Sequence, residues 1–334
     1  IEILAKKGDP TKFDLPKPII NKGGCNLSFA GLKTAILRIS KNIKNEKDKY
    51  DLAASFQKTM EEILYSEYLS YLPNNTWELH HRVSTSDIVD RRDDFLASVV
   101  PHDRRKIYDM RKIIHSVADS ESTFEMAKDF ARGQIVCFAR LNGYPIGIFA
   151  NDCRYNAGSM TAEGSQKVKR FIETCETFNL PIISFVDEPG FMIGPEAEKA
   201  ATIRYGTDLV LKSADCKVPW ASIIVRKSFG VAAVAHYGPN AFVLAWPSAE
   251  MGAVPVEGGV AVAFSREIDS PPEPEKRRAE LETEMSHRYS SVPRAESLAI
   301  HDIIDPRATR PMLSRWIERA YTTLPRIIAR KNAG

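Results

Sequence analysis

Residues 180–226, LPIISFVDEPGFMIGPEAEKAATIRYGTDLVLKSADCKVPWASIIVR, decide the fold. Ile182, Ile183, Phe185 and Val186 make a short β-rich run. Asp187, Glu188, Pro189 and Gly190 are expected to end it, because Pro lacks a backbone donor and Gly tolerates positive φ. Pro195 follows Gly194 at a favourable first helical position, and Glu196 and Glu198 suit the positive end of a helix dipole. Residues 220–225 then read as a second buried strand. Strand, helix and strand in this order form a βαβ unit, which requires a parallel sheet and a right-handed crossover. Such sheets bind ligands at the carboxyl ends of their strands. The turns after Val186 and Arg226 are therefore the expected seats of chemistry.

At 334 residues the chain has room for two domains, or for one large domain with an appendage. Its 43% hydrophobic content is ordinary for a globular protein with a sizeable core. A formal net charge of +3 argues against a dedicated nucleic-acid binder. No apolar run is long enough to span a bilayer. The start, Ile1-Glu2-Ile3-Leu4, has neither an initiator Met nor a signal-peptide pattern, which predicts a processed or partial start. Cys25, Cys137, Cys153, Cys175 and Cys216 are dispersed, with no C-x-x-C, and read as reduced thiols of an intracellular compartment. Cys137 and Cys175 lie in apolar patterns and are expected to be buried.

Working outward, residues 1–20 read as a loop and 19–29 as a turn and short strand. Helices are expected over 31–42 and 51–71 from apolar residues at helical spacing. Further on, 133–140 and 144–150 read as strands around the Asn142-Gly143 hairpin signal. Residues 165–178 form an amphipathic helix, 230–237 a small-residue helix, 241–245 a strand and 258–267 a helix. Pro271, Pro272 and Pro274 punctuate the chain. Residues 276–289 read as a charged, solvated helix and 312–324 as the last one.

Two resemblances follow from particular stretches. PIINKGGCNLSFAGLKTAILRISKNI and DLAASFQKTMEEIL are similar to an internal segment of the tRNA threonylcarbamoyladenosine synthase family. That family's metal site places two His on one helix, and no His pair here has the required spacing. No activity is carried over from this piece. From about residue 66 the chain resembles the second domain of acyl-CoA carboxylase β-type carboxyltransferases. The resemblance rests on YDMRKIIHSVAD (108–119), FARLNGYPIGIFAND (138–152), FVDEPGFMIG (185–194), WPSAEMGA (246–253) and IIDPRATR (303–310). It implies an α/β, crotonase-like spiral of ββα units, preceded by a short α-rich foreign segment. The expected division is a fragment over 1–65, a linker over 66–98 and a carboxyltransferase C-terminal domain over 99–334, joined as a chimera near residue 65.

The residues alone leave the chemistry open. Asp187 and Glu188 adjoin the Pro-Gly turn, where turn capping and loop solvation are expected and a chemical role is the alternative. No Ser-His-Asp triad is legible around Ser228. The passage Lys227-Ser228-Phe229-Gly230-Val231-Ala232-Ala233 leads from strand to helix. Free N–H groups there stabilise negative charge, unless the small residues serve only close packing. Asn156-Ala157-Gly158-Ser159 offers further amides. His236 reads as a structural His, Trp246 as a core anchor, and Arg307 and Arg310 as surface pairs.

The carboxyltransferase resemblance turns these odds. It implies that carboxybiotin, delivered on a carrier, presents its ureido carbonyl to the amides of Val231 and Ala232. Gly230, Ala157, Gly158, Gly190 and Phe191 line the cofactor's place. Carbon dioxide is then released beside a short acyl-CoA, whose enolate attacks it, with the biotin nitrogen as base. Val231 stands where many relatives have Gly, and Val234 where Asp is frequent. The implied protein is an enzyme with an incomplete active site, lacking the domain that binds most of the CoA. It would need no metal or ATP and would partner a biotin carboxylase and biotinyl carrier. It would oligomerise with complete subunits, in the cytoplasm or the mitochondrial matrix, with no nucleic acid or membrane. The alternatives are a crotonase-type hydratase or isomerase, a non-catalytic assembly module and, from the first segment, a tRNA-modification protein.

Overall fold

A computed structural model describes residues 1–17, 30–43, 45–103, 105–269 and 273–333. The turn and strand expected over 19–29, Cys25, Pro271 and Pro272 lie outside the described residues. Three helices come first: α1 (Glu2–Ala5), α2 (Ala30–Ser40) and α3 (Glu46–Leu69). Asn45 starts α3 by accepting the Asp48 N–H, a side-chain cap of the usual kind. After α4 (Met110–Val117) come β1 (Phe124–Met126), β2 (Gln134–Leu141) and β3 (Tyr144–Asn151). Then follow α5 (Ala162–Thr177), β4 (Ile182–Glu188), α6 (Pro195–Lys199), α7 (Thr202–Ala214), β5 (Trp220–Phe229) and α8 (Gly230–Val234). The chain continues through β6 (Phe242–Ala245), β7 (Glu250–Gly252), α9 (Val256–Ala263), α10 (Ser265–Asp269), α11 (Pro274–Tyr289) and α12 (Ser291–Glu296). It ends in β8 (Asp302–Ile303) and α13 (Thr309–Ala333).

The eight strands among the described residues share one sheet, ordered β1-β2-β3-β4-β5-β6-β8, with β7 paired to β5. β1, β2 and β3 are antiparallel neighbours. The hairpin between β2 and β3 turns on Asn142 (φ 52°) and Gly143 (φ 79°), the positive-φ pair that its Asn-Gly signal predicts. From β3 onward the pairs are parallel, with Phe149 opposite Ser184 and Ser184 opposite Ser222. The parallel βαβ unit expected from residues 180–226 is therefore present.

Helices bury both faces of the sheet, which is why β2 and β4 are buried along their whole length. One face packs Ile113 and Ile114 of α4 and Leu313, Ile317 and Leu324 of α13 against Ile148, Ile183 and Ile223. The other packs Val168, Phe171 and Ile172 of α5 and Leu209 of α7 against Phe138, Phe149 and Ile182. Each such large side chain contributes about 1.5–3 kcal/mol by leaving water. A separate small core, Leu15, Leu32, Leu52 and Ile63, serves the first helices.

Several expectations are corrected. β4 does not stop at Val186: it runs to Glu188, so Asp187 and Glu188 are fully buried strand residues that do not meet solvent, while the Glu188 side chain does cap the following turn, as expected, by accepting the Gly190 N–H. Buried partners on both faces, described below, make that placement affordable. The single helix expected after Pro195 is split at Ala201 (φ 57°) into α6 and α7, and that expected over 258–267 is split at Phe264. β5 continues past Arg226 to Phe229 because β7 pairs with its last residues. α11 is largely solvated as expected, with Leu281 its buried residue. Cys137, Cys153, Cys175 and Cys216 are free, buried thiols. No helix among the described residues is long and apolar enough to cross a membrane.

Candidate functional site

Parallel pairing of β3, β4 and β5 sets their carboxyl ends along one edge of the sheet. The segments that leave this edge carry every residue expected at the site. Past β3, Asn156 (φ 50°), Ala157 (φ 54°) and Gly158 (φ 88°) form a left-handed turn, an uncommon conformation for two non-glycine residues in succession. Gly158 is buried and Ala157 exposed. The Gly158 N–H is already spent on the Tyr155 carbonyl, so it is not a free donor as expected. Past β4, Gly190 (φ 130°) donates its N–H to Glu188 Oε1 at 2.9 Å and accepts from Met160 N at 3.1 Å. Met192 N in turn donates to the Met160 carbonyl. Residues 157–160 thus run beside 190–192 and bring Ala157, Gly158, Gly190 and Phe191 together. Phe191 packs over Gly206 so closely that a Cβ there would stand 2.3 Å from its ring.

Past β5, Gly230 (φ 65°) turns the chain into α8. The first N–H groups of a helix have no acceptor within it, and here they belong to Gly230, Val231 and Ala232. Val231 is 65% exposed and Ala232 is fully buried. The valine side chain therefore stands at the surface, and the amides beneath it lie at the same sheet edge as Gly190.

The two carboxylates of β4 point to opposite faces. Asp187 accepts from Arg226 Nε (3.1 Å) and Nη2 (2.9 Å), from the Tyr108 hydroxyl (2.9 Å) and from Lys227 N (3.1 Å). Burial and the neighbouring Asp187 charge hold the Tyr108 hydroxyl well above the usual range. The guanidinium lies 4.7 Å from the Tyr108 ring centre and also donates to the Lys106 carbonyl. Glu188 faces α8. Its Oε2 accepts from Asn151 Nδ2 at 2.9 Å and sits 3.5 Å from His236 Nε2. His236 Nδ1 is hydrogen-bonded to Ser184 Oγ at 2.7 Å, the His236 carbonyl accepts from Ser222 Oγ at 2.7 Å, and Phe149 stacks on the ring at 4.0 Å.

Although Glu188 and His236 are close enough for an ion pair, they meet as neutral groups. Burial pushes the carboxyl up to about 8 and the imidazole down to about 3. Ser184, His236 and Glu188 are the residue types of a hydrolytic triad, but all three are fully buried, so no substrate reaches them. They hold α8 onto the sheet. The sequence carried a faint signal for this seat: Ser184 and Ser222 interrupt apolar strands at paired positions.

Other expected roles sort cleanly. His236 is structural, as expected. Trp246 is a buried anchor whose Nε1 donates to Thr309 Oγ1 at 2.9 Å. Arg307 pairs at the surface with Asp305 and Asp94. Arg310 does not: it is buried, donating to Asp119 Oδ1 and to the Val117 and Ile88 carbonyls. Asp119 also takes the Asn142 and Gly143 N–H groups, so the β2–β3 hairpin and α13 are tied through it. Ser228 meets the Tyr237 hydroxyl at 2.8 Å. Among the described residues no group of three or more His, Cys, Asp or Glu is placed to hold a metal.

Comparison with known proteins agrees with this architecture. Residues 53–333 match the carboxyl transferase domain family, and residues 1–77 are similar to the tRNA N6-adenosine threonylcarbamoyltransferase family. The carboxyltransferase subunit of propionyl-CoA carboxylase from Haloferax mediterranei is 38% identical over 250 residues, covering 73% of this chain and 48% of that protein. The methylmalonyl-CoA carboxyltransferase 12S subunit of Propionibacterium freudenreichii subsp. shermanii is 31% identical over 266 residues, 78% of this chain and 50% of that protein. A transcarboxylase 12S crystal structure, described as a hexamer assembly with methylmalonyl-coenzyme A and methylmalonic acid bound, superposes with a TM-score of 0.74 at 29% identity. It covers 88% of this chain and 56% of that one. The chain spans about half the length of the curated relatives it matches. Its sheet and helices have the crotonase-like fold of these carboxyltransferases. With the sheet, the carboxyl-edge turns and the sequence match all lying within residues 53–333, this chain belongs to the carboxyl transferase domain family.

Proposed function

We propose that this chain is the biotin-accepting half of a biotin-dependent acyl-CoA carboxyltransferase, acting on a short acyl-CoA. The observation that carries the reading is the family match over residues 53–333, which includes α8 and its exposed Val231 at the carboxyl edge. Carboxybiotin, when bound on its carrier, supplies the activated carboxyl group. The chain's own part is backbone chemistry. The Val231 and Ala232 N–H groups receive a ureido oxygen as negative charge develops on it. Gly230 lets the backbone turn there, the seat of His236 fixes the helix, and the walls at Ala157–Gly158 and Gly190–Phe191 bound the space. A donor set made of neutral amides fits an uncharged ureido ring.

The same geometry removes support from a hydratase or isomerase. That chemistry needs carboxylates facing a thioester, whereas Asp187 is locked to Arg226 and Glu188 is buried. The finer parts of the proposal are a biotin carboxylase and biotinyl carrier as partners, and assembly with complete carboxyltransferase subunits. It also includes residence in the cytoplasm or mitochondrial matrix and no activity from this chain alone.

Two measurements test it. In the 15N spectrum of the full chain, biotin should shift the Val231 and Ala232 amides; unmoved amides at saturating biotin would sink the site. The purified chain, given carboxybiotin and acetyl- or propionyl-CoA, should form no carboxylated product. Robust product would overturn the claim that this chain is inactive by itself.

A further inference from the structure

Beside the start of α8, on the side of β5 away from Glu188, lies a cleft of about 530 Å³. Its size falls in the range of small-molecule sites. Ile224, Val243, Met251 and Ile300 form an apolar floor. Three polar side chains line it: Ser228, Tyr237 and Arg294. Their hydrogen-bonding capacity is not used up. The Ser228 and Tyr237 hydroxyls share one hydrogen bond at 2.8 Å, in which either is the donor. Two hydroxyls carry two protons, so one O–H remains to donate. Arg294 donates from Nη2 to the Met251 carbonyl at 3.0 Å, but its Nε is buried with no acceptor among the described residues. Nor does any carboxylate among the described residues pair with Arg294. Arg294 is half-buried, so part of its guanidinium keeps its water, while the buried Nε is left as an unmet donor, which costs free energy until an acceptor reaches it.

We infer that this cleft binds a short aliphatic carboxylate, its oxygens taken by Arg294 and the spare Ser228–Tyr237 proton and its tail laid on Ile224, Val243, Met251 and Ile300. Water satisfies the donors but adds nothing on the floor. Inorganic phosphate satisfies the charge but gains nothing there either. Only an amphipathic anion uses both features. The floor is small, so binding is weak, with a Kd on the order of 1 mM. The site touches the edge described above: Gly252 lines the cleft, and the next carbonyl, Ala253, lies 3.3 Å from where a Cβ on Gly230 would stand. An occupant is therefore felt at the start of α8. The inference does not rest on the carboxyltransferase reading, and its test needs neither biotin nor CoA.

The test is a titration of the full chain, labelled at Ile, Val and Met methyl groups, with hexanoate, hexanamide and phosphate. Hexanoate should shift the methyls of Ile224, Val243, Met251 and Ile300, and hexanamide should bind roughly tenfold more weakly for want of the charge. Arg294→Met should weaken hexanoate roughly tenfold or more and leave hexanamide unchanged, with Arg294→Lys between the two. Tyr237→Phe should weaken hexanoate several-fold. Methyls on the far face of the sheet, such as Ile113 and Ile148, report whether each variant is folded. If Arg294→Met does not fold, the hexanoate–hexanamide contrast at the named methyls decides alone. Equal binding of hexanoate and hexanamide, phosphate as tight as hexanoate, shifts confined to other methyls, or no shifts at all would each overturn the assignment.

Discussion

Glu188 and His236 give the protein a pH signature whose sign can be worked out. The buried carboxyl titrates near 8 in the fold and near 4.5 when exposed. Between those values the folded state holds the extra proton, so this group's contribution to stability falls as pH rises. The imidazole titrates near 3 in the fold and near 6.5 when exposed. Between those values the unfolded state holds the extra proton, so stability rises with pH. From about 4.5 to 6.5 the two slopes oppose each other and cancel. The pair therefore predicts a plateau there, a loss below it from His236, and a loss from 6.5 to 8 from Glu188. Each limb has a slope of up to roughly 1.4 kcal/mol per pH unit. Glu188→Gln keeps the shape of the neutral acid and should abolish the upper limb, leaving the variant the more stable protein at pH 9. Urea denaturation across pH measures this, and an unchanged upper limb in the variant would mean that Glu188 is not its source. The same residues show the reach of sequence. Ser184 inside an apolar run marked an oddity, but nothing in one dimension pairs it with a histidine 52 positions away.

At the scale of elements, the ends of β4 and β5 are tied by Asp187 and Arg226, and Tyr108 joins the segment before α4 to the same knot. Removing one partner leaves the other charge buried and unpaired, which costs far more than the pair itself contributes. Arg226→Met should destabilise the chain by about 3–5 kcal/mol in a denaturant titration. Adding Asp187→Asn to it should recover part of that loss; a single variant with an unchanged midpoint would show that the knot is unimportant. The sequence placed β4, α6 and β5 in the right order because apolar runs and Pro-Gly punctuation are local signals. It misplaced the end of β4 because strand length is set by partners. Residues past Val186 stay in the sheet where Glu188 pairs across a bulge with Ser228.

At the scale of the molecule, α3 carries two allegiances. Its Leu52 and Ile63 belong to the small first core, while Tyr68 and Tyr71, at and just past its end, pack on Phe124 and Phe138 of the sheet. Tyr71 also donates to the Ser122 carbonyl at 2.9 Å and lies under Arg140 at 4.3 Å. The proposed join near residue 65 falls inside this unbroken helix, where the two family matches, 1–77 and 53–333, overlap. Separate cores predict separate responses in hydrogen exchange. Leu32→Ala should cost about 2–5 kcal/mol locally and speed exchange in α2 and α3, with β2 to β5 unchanged. Phe138→Ala should speed exchange in the sheet. Loosening of the sheet by Leu32→Ala would show one cooperative unit instead of two.

The sequence by itself determined the βαβ heart, the parallel sheet and the family, because hydrophobic periodicity, turn chemistry and long motif runs are written along the chain. Tertiary structure alone decided what residues 187 and 188 do. A carboxylate after an apolar strand reads as a solvated turn until its partners are known, and those partners, Arg226, Tyr108, Asn151 and His236, arrive from four other segments. Burial, and with it protonation, is a property of the assembled sheet.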